Sequence, residues 1–160
     1  MPAERGMADR DRPLTARGHR DARLIGTAIA EDGIPDLILC SPARRTRETL
    51  EGIVETLAAE PKVIIADHLY DGRDVTYDEV IAAHGGGAVR LLVIAHNPTI
   101  HATAVALSVK GDRALRAAMA AKFPTSALAV IAIDTPDWHV KPGELIAFRR
   151  PKDLGGEADD

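Results

Sequence analysis

Two strand-to-helix junctions constrain this chain more than any other feature. In the first, Leu37-Ile38-Leu39-Cys40 runs into Ser41-Pro42-Ala43-Arg44-Arg45-Thr46-Arg47-Glu48-Thr49. In the second, Leu91-Leu92-Val93-Ile94-Ala95 runs into His96-Asn97-Pro98. Both apolar runs read as short buried strands, and each opens a segment with helical periodicity. A small polar residue followed by Pro suits an N-cap and the first helical position, so Ser41 and Asn97 are expected to cap their helices. In an open α/β sheet, ligands bind at such strand ends, where helix N-termini offer free N–H groups. One junction delivers Arg45 and the other His96. A guanidinium fork and an imidazole beside two helix N-termini make a phosphate site.

The remaining pattern fits one α/β domain. Thr15 can cap a helix over 16–32, with Ala16, Ala22, Ile25 and Ile29 at helical spacing and Gly33-Ile34-Pro35 ending it. A strand over 36–40 leads into a helix over 42–59, whose inner stripe is Leu50, Ile53, Val54 and Leu57. There follow a strand over 62–66, a loop over 68–74, a short helix over 76–83 and a strand over 90–95. Helices over 98–108 and 112–121 are separated near Lys110-Gly111. A strand over 127–133 and a turn region over 134–142 lead to a last strand over 144–149. Alternation in that last strand predicts a sheet edge. The domain is expected to span 14–150, after a polar segment over 1–13 and before an acidic tail over 151–160 that frays. Alternating strands and helices imply a three-layer α/β/α architecture. Tyr70, Tyr77 and Trp138 read as packing residues.

Composition narrows the function. The chain has 160 residues and 46% hydrophobic content, enough for one sizeable core. A formal charge of −4 argues against a nucleic-acid partner, which needs a basic face. It leaves room for one phosphate, which responds to the local field. The single Cys40 rules out a disulfide framework and fits a reducing cytoplasm. No apolar run approaches ~18 residues, so no membrane span is expected, and the charged start lacks the apolar core of a secretory signal. No His or Cys spacing suits a metal, and no cofactor is implied. Gly85-Gly86-Gly87 is not followed by Lys and Ser or Thr, so it reads as a turn rather than a phosphate loop.

Each site residue has a plainer alternative. Arg44, Arg45 and Arg47 could form a solvated face paired with Glu48 and Glu51. Cations at a helix N-terminus oppose the dipole, however, and that placement points to an anion-binding role for at least one of them. A lone His at a strand end is commonly a structural hydrogen-bonder. Beside an Arg-bearing junction of the same design, His96 reads as a site residue.

These residues also carry a resemblance. Ser41-Pro42-x-x-Arg45-Thr46-x-x-Thr49 resembles the SPxxRAxQT signature of the histidine phosphatase superfamily, and Ala95-His96-Asn97-Pro98 resembles its second-histidine motif. Arg12-Pro13-Leu14-Thr15-x-x-Gly18 is similar to the RPLTxxG segment of SixA-type phosphohistidine phosphatases. Pro124-Thr125-Ser126 and Phe148-Arg149-Arg150-Pro151 are similar to small bacterial members. The resemblance covers about residues 9–154 and implies a phosphoglycerate mutase-like fold with a mostly parallel sheet. It implies a phosphatase acting on phosphohistidine in proteins, or on a small phosphate ester, without metal or cofactor. Arg45 and His96 would hold the phosphoryl group, with Asn97 assisting and Arg12 at the mouth. Asp71 is the candidate general acid, the alternative being a turn residue.

One departure matters. The superfamily begins with a strand ending in Arg-His, whose His is the nucleophile, and no His here follows an Arg. Gly18-His19-Arg20 has the wrong order and lies in a helix. So the first strand and the nucleophile are expected to be missing. Either the start is misplaced and an upstream strand carries Arg-His, or the chain is a pseudoenzyme that binds phosphate or phosphohistidine without turnover. A missing strand would leave two strand edges open, and the strands over 36–40 and 91–95 carry no charge or Pro beyond the leading Asp36 to blunt them. Truncation is therefore the favoured expectation. A mutase or sugar-phosphate phosphatase would need larger insertions over 67–90.

Overall fold

A computed structural model describes residues 6–72, 76–134, 138 and 142–158. Parts of the expected loop over 68–74 and turn over 134–142, and of both terminal segments, lie outside these. Helix α1 (Ala16–Asp32) starts at Thr15, whose hydroxyl accepts the Gly18 N–H at 3.0 Å. It buries Ala22, Ile25 and Ile29 as the periodicity predicts, while Ala16 stays exposed. Strand β1 (Leu37–Cys40) runs parallel between β2 (Lys62–Ile65) and β3 (Leu91–Ile94). Its side chains alternate between two cores. Ile38 and Cys40 pack with Ile25 and Ile29 of α1 and Ile53 of α2 (Arg44–Val54). Leu37 and Leu39 pack on Leu69 of α3 (His68–Asp71), on Tyr77, and on Val80 and Ile81 of α4 (Asp78–Gly85). Helices thus cover both faces of a parallel sheet, the expected three-layer α/β/α arrangement.

The second half is built on a mixed sheet. Helix α5 (Thr99–Leu107), strand β4 (Ser108–Gly111), helix α6 (Arg113–Ala121), strand β5 (Leu128–Ala132) and strand β6 (Gly143–Arg149) follow in order. The strand order is β4-β6-β5, with β4 parallel and β5 antiparallel to β6. Ala104, Met119, Leu145 and Phe148 form its core. Asp32 accepts two hydrogen bonds from Arg149, at 2.6 and 2.7 Å, tying the end of α1 to β6.

Between the two sheets lies a break. Among the described residues, β3 pairs only with β1 and β5 pairs only with β6. Leu92 of β3 and Leu128 of β5 pack on the same α1–α2 cluster, so the two open edges border one region of the core. Open edges were expected at the strands over 36–40 and 91–95. The structure bears this out for β3 and corrects it for β1, which is paired on both sides; across the break, the second open edge is that of β5.

Other elements also depart from expectation. Helix α2 ends at Val54 rather than 59, because Thr56 and Leu57 tighten the last turn onto the Ile53 and Val54 carbonyls. Residues 68–71 form α3 rather than loop. The strand β4 replaces the expected breaker near Lys110-Gly111, and its pairing puts β6 in the centre of its sheet rather than at an edge. The alternation of β6 comes from one solvated face, where Ile146 is exposed opposite buried Leu145. The described tail does not fray: Pro151–Leu154 form a 3₁₀ turn, Leu154 packs on the α1–α2 cluster, and Glu157 accepts hydrogen bonds from Arg17 and Arg20.

Candidate phosphate-binding site

The site grows from the C-terminal ends of the paired strands β1 and β3. At the end of β1, Ser41 is fully buried. Its hydroxyl accepts the Ala43 N–H at 3.3 Å, and Thr46 Oγ1 lies 2.9 Å from the Ser41 carbonyl and 2.8 Å from that of Ala43. These bonds fix the turn into α2. Ser41 does not cap the helix, as was expected; Ala43 takes the cap position without a side-chain bond. The reason lies across the junction, where the Ser41 Oγ sits 2.7 Å from His96 Nε2. Asn97 is not a cap either, since α5 starts at Thr99 and the Asn97 amide donates to the Phe123 carbonyl at 2.9 Å.

Arg45, in the first turn of α2, reaches His96: its Nη2 lies 3.4 Å from His96 Nδ1. A guanidinium can only donate, so Nδ1 is the accepting nitrogen and the proton sits on Nε2, donating to Ser41. Burial, and then the Arg45 charge, hold His96 below its ordinary value of 6.5 against an opposing pull from Asp9. The imidazole is therefore neutral near pH 7. Tyr70 sets its ring edge against His96, with centroids 5.6 Å apart, and the buried Tyr77 hydroxyl donates to the Leu69 carbonyl at 3.1 Å beneath the site.

The three arginines of the junction divide between the two readings. Arg44 is spent on Glu48 at 2.7 Å, and Glu48 also holds the Leu14 N–H at 3.1 Å. Arg47 is exposed. Only Arg45 turns to the strand ends, where Nη1 donates to the Asp9 carbonyl at 3.0 Å and Nη2 to Asp9 Oδ2 at 3.3 Å.

Of the other sequence candidates, Arg12 lies close by, with Nη2 2.7 Å from Asp9 Oδ1. Asp71 ends α3 on the surface, 3.8 Å from His68 Nδ1, and Asn97 is engaged with Phe123. Sequence reasoning missed Asp9 and read Tyr70 as packing. Asp9 lies in a 3₁₀ turn (Asp9–Asp11) within an aperiodic polar stretch, where no periodicity or turn signal marks it. Tyr70 donates its hydroxyl to Asp9 Oδ2 at 3.0 Å. Cys40 is fully buried, and desolvation pushes its thiol up to about 12. Among the described residues no group of three His, Cys, Asp or Glu is placed to hold a metal ion, and no helix is long and apolar enough to cross a membrane.

The sequence and the fold that bring Arg45 and His96 together match known proteins. Residues 3–72 match the histidine phosphatase superfamily (branch 1). The chain is 33% identical to a protein of Agrobacterium tumefaciens assigned as phosphohistidine phosphatase SixA, covering 89% of each chain with a TM-score of 0.73. It is 28% identical to one from Nakamurella multipartitia with the same assignment, covering 92% of this chain and 90% of that one, at a TM-score of 0.77. An uncharacterized Mycobacterium tuberculosis protein is 37% identical over 92% of this chain and 94% of its own length. The chain belongs to the histidine phosphatase superfamily. Within it, both solved structures just described are assigned to the SixA type.

Proposed function

We propose that this protein is a phosphohistidine phosphatase acting on phosphorylated protein, with Arg45 and His96 holding the transferred phosphoryl group. The observation that carries this reading is the convergence of the two side chains, 3.4 Å apart, at the ends of neighbouring strands. Arg45 offers a fork of N–H donors to equatorial oxygens. A phosphoryl dianion opposes the burial and the Arg45 charge that keep His96 neutral, so His96 takes a proton at Nδ1 and adds a second cationic donor. Stabilisation of this kind suits phosphoryl transfer, where positioning and electrostatics dominate. Phosphohistidine asks little of a general acid, because a protonated imidazole leaves readily with the electron pair of the breaking P–N bond. Asp71 is then not needed.

The nucleophile belongs on a strand filling the break between β3 and β5. Those edges are apolar and unblunted, which supports a truncated form over a sheet that closes without the strand. In such a strand, a terminal His would attack phosphorus as the substrate's P–N bond breaks, and water would then hydrolyse the enzyme's phosphohistidine.

The test compares the 160-residue chain with one extended upstream by a strand ending in Arg-His. Phosphate release from a phosphohistidine-bearing protein is measured for both. The extended form is expected to turn over and the short form to show no acid-labile, base-stable label on its own His residues. In the extended form, Arg45→Ala and His96→Ala are each expected to lower kcat by about 10²-fold or more. A folded, extended form without turnover would favour a phosphate-binding pseudoenzyme.

A further inference from the structure

The strand-end site already holds an anion of its own, the Asp9 carboxylate. Asp9 meets Arg45 twice, through its main-chain carbonyl on Nη1 at 3.0 Å and its carboxylate on Nη2 at 3.3 Å. Nη2 is the arm that also reaches His96. Two further groups hold the carboxylate there, and a third packs on one of them. Tyr70 donates to Oδ2 at 3.0 Å, Arg12 pairs with Oδ1 at 2.7 Å, and Arg10 lies over the Tyr70 ring at 5.8 Å. The Tyr70 hydroxyl, with the Arg45 and Arg12 charges, holds the Asp9 carboxyl below the usual carboxylate range.

We propose that Asp9 is the internal ligand of this anion site: its carboxylate occupies the arm of Arg45 that a phosphoryl oxygen takes, and substrate binds by displacing it. The inference rests on the reading of Arg45 and His96 as the phosphoryl site. The two contacts of Asp9 divide the work. The main-chain carbonyl keeps Nη1 and holds the guanidinium pointed at the strand ends. The carboxylate releases Nη2. Because Asp9 is tethered, it competes at high effective concentration, and every ligand binds with an affinity reduced by the fraction of molecules in which Arg45 is free. Asp9 thus sets an affinity threshold. A phosphoryl group on a docked protein, with further contacts to draw on, passes it more easily than free phosphate does.

Asp9→Asn keeps the main-chain carbonyl and an acceptor for Tyr70 but removes the charge. The experiment is a titration of the 160-residue chain with inorganic phosphate, read from the His96 ring protons by NMR, for wild type, Asp9→Asn and Asp11→Asn. Asp9→Asn is expected to tighten phosphate binding about tenfold. Asp11→Asn, which removes the same charge from the same turn, is expected to leave it near wild type. Equal gains in both variants would mean that only net charge matters, and equal affinity in all three would mean that Asp9 does not compete; either overturns the proposal. Arg45→Ala separates the two readings. If phosphate binds wild type and Arg45→Ala alike, the phosphoryl site itself is wrongly placed. If binding needs Arg45 yet ignores Asp9, only the internal-ligand proposal falls.

Discussion

Strands β1 and β5 carry nearly the same kind of sequence and end in different surroundings. Leu37-Ile38-Leu39-Cys40 and Leu128-Ala129-Val130-Ile131-Ala132 both lack any polar residue. β1 has a ladder on each side, and all four residues are buried. β5 has one ladder, and none of its five residues is buried. β3 stands between them, paired once, with only Ile94 buried. The difference lies in the neighbours and not in the strands. A continuous apolar run reports the burial a strand is suited to, on both faces of a covered sheet. Where the run is half-exposed, the structure marks a place for another element.

The largest expected effect breaks or confirms that comparison directly. Adding the upstream strand pairs both open edges and buries several apolar side chains, each contributing ~1.5–3 kcal/mol when fully buried. Domains of this size hold only ~5–15 kcal/mol in total. The extended form should therefore melt about 6–12 °C or more above the short one, at ~2–4 °C per kcal/mol. Equal melting temperatures, with the short form monomeric, would show that β3 and β5 close against each other in solution.

A smaller effect sharpens the same contrast. Leu39 is 0% exposed, so Leu39→Ala should cost ~2–5 kcal/mol through lost burial and a residual cavity. Val130→Ala, on a half-buried strand, should cost less than ~1 kcal/mol in the short form. In the extended form its cost should rise, because β5 gains a second neighbour. Urea unfolding of both variants in both forms reads this out, and a Val130→Ala cost that does not change with the added strand would deny that the strand lies beside β5.

What could be read from the sequence follows the same line. Helix α1 and strands β1, β3 and β5 were legible because their periodicity or apolarity is local. β4 was not, because Ser108-Val109-Lys110-Gly111 becomes a strand only through its partner β6. The meeting of Arg45 and His96 was legible because each follows an apolar strand at a strand-to-helix junction. The caps were misplaced because the Ser41 hydroxyl turns inward to His96, a contact between segments 55 residues apart. Asp9 enters the site through its contact with Arg45 across 36 positions of chain, and Tyr70 through its contact with Asp9 across 61, and nothing local announces either.

The smallest effect concerns the open end of β3, where His96 sits half-buried beside Arg45. Burial and Arg45 lower its folded value below the 6.5 that describes it in the unfolded chain. Between those two values the unfolded chain binds a proton that the folded chain does not, so stability rises with pH in that window. The His96 contribution is therefore complete above pH 6.5 and is lost as pH falls towards the folded value. Urea midpoints from pH 8 to 5 should decline on the acid side, and His96→Gln should flatten that decline, since Gln does not titrate. Phosphate should act in the opposite direction at the same atom. A bound dianion favours the imidazolium, so the NMR titration of the His96 ring should move to higher pH when phosphate is added, and this movement should vanish in Arg45→Ala. If the ring titrates above 6.5 without phosphate, burial and Arg45 do not hold His96 in its neutral form, and the strand-end site would have to be rebuilt around groups that favour the imidazolium.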